Sequence, residues 1–109
     1  MKKINIADIW QAEDRDLPFS ITMNGEPIAD VSKMLFVIFT DDGLTQIAKI
    51  DSGRLIYFAD STITVKIQDT ITTGLLGKHR YELWFQDSAG KDVPVAYGSI
   101  NFKPTLGRY

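Results

Sequence analysis

The sequence predicts an all-β fold, an antiparallel sandwich of about seven or eight short strands. Three observations carry that expectation. Apolar and polar residues alternate in short runs, the period of a strand with one buried face. Turn residues punctuate the chain every ~8–12 positions, the spacing of sandwiches and barrels. Helical periodicity is almost absent, leaving at most one short helical turn near residues 69–76, where Gly74 and Gly77 limit its growth.

The elements follow in chain order. Residues 4–11 read as an N-terminal strand. Residues 17–23 place Leu17, Phe19, Ile21 and Met23 on one face, and Asn24-Gly25 then supplies a tight turn. Residues 33–40 are apolar on both faces, with Met34, Phe36 and Ile38 on one and Leu35, Val37 and Phe39 on the other. Such a strand is central, or its second face is covered by a loop or a neighbouring subunit. Asp42-Gly43 turns the chain into residues 46–50, and Ser52-Gly53 into 54–58. Residues 62–68 alternate cleanly, with Ile63, Val65 and Ile67 to one side. So do residues 80–86, where Tyr81, Leu83 and Phe85 oppose Arg80, Glu82, Trp84 and Gln86. Ala89-Gly90 leads to a last strand over 94–102, in which Gly98 marks a bulge or a close backbone approach.

A chain of 109 residues suits one domain, and residues 1–109 are expected to form a single sandwich without an internal linker. The apolar content of 44% is enough for a core without metal or disulfide support. The net charge is -2, and the basic residues are scattered singly rather than gathered in a stripe, so nucleic acid is not an expected partner. No apolar run approaches the ~20 residues needed to span a bilayer, and no membrane association is expected. Lys2 and Lys3 are followed by Asp8 before an apolar run develops, so no secretion signal is read there. With no cysteine, disulfides, thiolate metal sites and cysteine nucleophiles are all excluded.

The residues that could carry chemistry are few. His79 is the single histidine and lies between Lys78 and Arg80. No serine sits in a Gly-x-Ser-x-Gly turn to serve as its nucleophile. It reads as a polar residue at a strand start. One histidine cannot hold zinc. Calcium could use oxygen ligands from Glu13, Asp14 and Asp16, or from Asp41 and Asp42, but Asp-rich loops are equally ordinary turn chemistry and the spacing is not that of an EF-hand. Gly74-Leu75-Leu76-Gly77-Lys78 lacks the spacing of a phosphate loop. No enzyme activity, cofactor or metal is expected.

The aromatics hold more information. Trp84 falls on the polar side of its strand, where it either contacts a partner or packs under a loop or second layer. Trp84, Trp10 and Tyr57 are the candidate contact residues, for a protein partner or as a stacking platform for carbohydrate.

The segment Leu75-x-Gly77-x-His79-x-Tyr81 resembles the tyrosine corner of fibronectin type III domains, with Gly77 and His79 in place of that motif's proline and threonine. Across the chain, the turn Asn24 to Asp30, the strand Met34 to Thr40, Ile63 to Ile67, Gly77 to Trp84, Asp87 to Lys91 and Tyr97 to Ile100 resemble the immunoglobulin-like N-terminal domain of phage baseplate upper proteins. The resemblance implies an immunoglobulin-like or fibronectin III-like sandwich in a virion. It also implies a Tyr81 hydroxyl bonded back to its corner, and a non-enzymatic tail or baseplate role, with partners among other tail proteins and a homo-oligomer as a further option. In that family the domain heads a longer chain. Thermal melts test the strand register. Leu83→Asp is expected to unfold the domain by burying an unpaired charge, and Lys66→Asp to leave it nearly unchanged.

Overall fold

The computed structural model describes residues 2–6, 8–11, 14–23, 25–28, 30–51, 53–72 and 74–104. The strands are β1 Lys2–Lys3, β2 Ile9–Trp10, β3 Arg15–Ser20, β4 Thr22–Met23, β5 Glu26–Pro27, β6 Lys33–Thr40, β7 Gln46–Ile50, β8 Ile56–Ala59, β9 Thr62–Ile67, β10 Gly77–Gln86 and β11 Asp92–Lys103. One helical turn, α1 Asp69–Thr72, joins β9 to β10. The larger sheet runs β1-β11-β10-β6-β7, with β2 also on β11; the smaller runs β3-β9-β8. The two sheets, β11-β10-β6-β7 and β3-β9-β8, pack as a β-sandwich.

The core is the product of the alternation. Phe36 and Ile38 from β6, Tyr81, Leu83 and Phe85 from β10, and Ala96, Ile100 and Phe102 from β11 meet Leu17, Phe19, Ile63, Val65 and Ile67 from the smaller sheet. Tyr81 stacks on Phe36 at 5.3 Å between ring centroids and tilts against Phe19 at 5.9 Å. These rings tie the two sheets together.

Several expected elements shift for local reasons. The strand expected over 17–23 divides at Ile21, which stays buried while its N–H donates to the Ser61 carbonyl. Residues 54–58 open as a 3₁₀ turn, Gly53–Leu55, before β8 begins. The β8–β9 hairpin turns at Asp60 and Ser61, both with positive φ, and no glycine advertises it in the sequence. Asn24 and Ser52, expected at turns, lie outside the described residues.

The largest difference concerns the N-terminal segment. It is not one strand but two short ones, β1 and β2, both parallel to β11. Between them the Ile4 carbonyl turns inward and accepts a 2.6 Å hydrogen bond from the Tyr81 hydroxyl. Tyr81 therefore does not bond back to residues 75–79, as a tyrosine corner would. Gly98, directly opposite Tyr81 in the β10–β11 pairing, makes room for this. A Cβ there would lie 2.1 Å from the Ile4 oxygen, so the expected close backbone approach is present. The β10–β11 irregularity lies elsewhere, between Leu83 and Trp84. The segment is further held by Asn5, whose side-chain oxygen accepts from the Ser99 N–H and hydroxyl. Asp8 pairs with Lys103 at 3.0 Å. Hydrogen bonds from Lys103 and then Asn101 hold the Asp8 carboxyl below its ordinary range.

Burial pushes the Tyr81 hydroxyl up to about 12 from its ordinary value near 10. The unfolded chain gives up this proton first, so the contribution is fully present below pH 10 and declines as pH rises toward 12. Denaturant melts between pH 8 and 12 should show this decline, and Tyr81→Phe should lessen it. At neutral pH, Tyr81→Phe should cost about 1–3 kcal/mol by orphaning the Ile4 carbonyl. Gly98→Ala should displace the N-terminal segment, read as faster hydrogen exchange at the Ile4 and Ile6 amides. The expectation for Lys66 also changes. Its Nζ lies 5.9 Å from the Tyr57 ring centroid and the residue pairs with Asp16 across β3–β9. Lys66→Asp would oppose two carboxylates, and Lys66→Thr becomes the near-neutral change.

Candidate functional site

The smaller sheet covers one face of the larger sheet. No further layer of described residues packs on the other. Strand parity places Leu35, Val37 and Phe39 on this outer face, along the length of β6. Cross-strand pairing then sets their neighbours. Leu35 lies beside Trp84, which lies beside Pro94. Val37 lies between Glu82 of β10 and Lys49 of β7, and Tyr97 extends the same row from β11. Phe39 lies between Arg80 and Gln46. Val37 is only 5% exposed although it faces away from the core. Glu82 and Lys49 flank it on the neighbouring strands. Leu35, Phe39 and Trp84 are half-buried.

Trp84 is therefore an outward residue and not part of the interior between the sheets. The irregularity between Leu83 and Trp84 places Pro94 opposite it. Proline cannot donate to a ladder and is tolerated at such a break. At this end the face deepens into an open cleft of about 480 Å³, lined by Lys33, Leu35, Lys49, Asp51, Trp84, Gln86 and Asp92, with contributions from Met34 and Phe85. Lys49 and Asp51 pair at 3.2 Å, and the Gln86 amide donates to Asp92 at 2.8 Å.

The other two candidate aromatics lie elsewhere. Tyr57 is on β8 of the smaller sheet, 40% exposed, with Lys66 over its ring. Trp10 pairs with Lys103 at the far end of β11 and is 49% exposed. At ~3.3 Å per residue, that position is about 30 Å along the strand from Pro94 and Trp84. The three do not form one platform. The sequence places Glu82 on the face of Trp84, but not Lys49, Asp51, Asp92 or Tyr97, because only strand register brings these onto it.

The polar residues that could carry chemistry have structural partners. The His79 Nδ1 lies 3.0 Å from the Gly77 carbonyl, and the ring meets Phe102 edge-on at 5.4 Å. Asp14 accepts from the Asp69 N–H at the start of α1. Asp42 accepts from the Thr40 hydroxyl and the Leu44 N–H, and these bonds, Thr40 foremost, keep its carboxyl below the ordinary range. Glu13 lies outside the described residues. Among the described residues no three His, Asp or Glu side chains gather as metal ligands, and no helix is long and apolar enough to cross a membrane. No protein-family model matches the chain, and no curated protein matches it.

Because Asp42 organises the β6–β7 turn, Asp42→Ala should lower the midpoint of denaturant melts. Millimolar calcium should leave the melting temperature of the unaltered protein unchanged.

Proposed function

We propose that this chain is a non-enzymatic structural protein of a phage or prophage, a tail or baseplate accessory domain that acts by protein–protein contact. The observation that carries the reading is the outer face of the larger sheet. An apolar line of Leu35, Val37 and Phe39, with Trp84 and Tyr97 beside it, lies under no second layer of described residues. Aromatics set among apolar side chains on a flat, ordered face are the usual anchors of a protein interface. The sequence resemblance to the baseplate domains supplies the tail and virion part of the reading, with synthesis in the bacterial cytoplasm before assembly. A carbohydrate-binding module is the weaker reading, because it would rest on Trp84 alone once Trp10 and Tyr57 are placed elsewhere.

Mass spectrometry of purified particles tests the assignment. The chain is expected among the tail components, and Trp84→Ala should remove it from particles while circular dichroism shows the fold retained. Absence of the unaltered chain from particles would refute the tail reading. A strong glycan-array signal abolished by Trp84→Ala would favour the carbohydrate module.

A further inference from the structure

The outer face has a symmetry of its own. Glu82, Val37 and Lys49 form one row across β10, β6 and β7, so an acid and a base stand at equal strand spacings on either side of β6. We infer that the occupant of this face is a second copy of the same chain, packed face to face about a two-fold axis running along β6. The inference rests on reading the face as a protein contact surface and names its partner.

The operation follows from strand positions. A two-fold axis along β6 keeps β6 over β6 and exchanges β7 with β10. The line Leu35, Val37 and Phe39 of one copy then meets the same line of the other. Lys49 of each copy stands over Glu82 of its mate, and the contact occurs twice. An isologous interface requires this kind of self-complementary patch. A partner of single sign, such as a nucleic acid or an anionic surface, finds no matching field, because acids and bases alternate here. The rearrangement needed is small, since Lys49 is exposed and its pairing with Asp51 is half-exposed on both sides.

Size sets the expected strength. With the axis along β6, the strands that overlap are β10, β6 and β7, and three strands ~4.8 Å apart and about seven residues long share a face of roughly 15 by 25 Å. Two such faces bury on the order of 700 Å² in total, the range of weak and transient association. The dimer should be reversible and weak, with a dissociation constant in the high micromolar range or above.

Sedimentation velocity from micromolar to millimolar protein tests this. The expected result is a concentration-dependent dimer. Lys49→Glu and Glu82→Lys should each weaken it about tenfold, and the double exchange should restore it. Leu35→Glu should abolish it, with circular dichroism used to check folding. If a charge variant folds poorly, concentration-dependent NMR shifts in the unaltered protein, confined to the Trp84 indole and the Leu35 and Val37 methyls, give the same reading. A monomer at all concentrations, or a dimer indifferent to Lys49, Glu82 and Leu35, would overturn the inference. A monomer whose Trp84→Ala variant is lost from particles would sink the second copy and leave the tail reading standing. A charge-sensitive dimer absent from particles would do the reverse.

Discussion

The Tyr81 hydroxyl and the Ile4 carbonyl meet inside the core at 2.6 Å, and much of the sandwich is arranged around that contact. A carbonyl brought into an apolar interior is costly without a donor. Tyr81 supplies the donor while its ring stacks between Phe36 and Phe19, so one side chain joins the N-terminal segment, the larger sheet and the smaller sheet. Gly98 is the complementary condition, since any side chain there would occupy the space of the Ile4 oxygen. The parallel course of residues 2–6 and 8–10 along β11 depends on these three residues together with the core residue Ile9.

The outer face depends on that arrangement only indirectly, through the pairing of β10 with β11. The irregularity after Leu83 leaves the core alternation of Tyr81, Leu83 and Phe85 intact while re-registering β11 against Trp84. Without it, Trp84 would face Val95 rather than Pro94. β6 is thus buried among the core residues on one side. On its other side it carries apolar residues flanked by charged residues of β10 and β7.

Much of the fold was legible in the sequence where pattern and punctuation agreed. The bounds of β6 and β7 follow from two clean runs around Asp42-Gly43, and the alternation in β9 and β10 correctly assigns every core residue they contribute. The N-terminal segment was less legible. Alternation cannot reveal a backbone carbonyl turned inward, and the donor that permits it lies 77 residues away. The hairpin at Asp60 and Ser61 was hidden because neither residue is glycine. For the outer face, the doubly apolar run in β6 and the outward position of Trp84 were visible as features. The row of Glu82, Val37 and Lys49 was not, because it exists only once three strands are in register.

The parallel N-terminal segment carries a consequence for how the chain acquires its structure. Residues 2–10 are the first of this sequence to leave the ribosome, yet their docking strand, β11, is among the last. Their side-chain hydrogen bonds and ion pair to Tyr81, Ser99, Asn101 and Lys103 each close a loop of most of the chain. Loop closure at such separations is slow relative to hairpin formation, so β10 and β11 must pair before the segment has anywhere to dock. The docking of this segment is therefore contingent on a hairpin formed at the opposite end of the sequence.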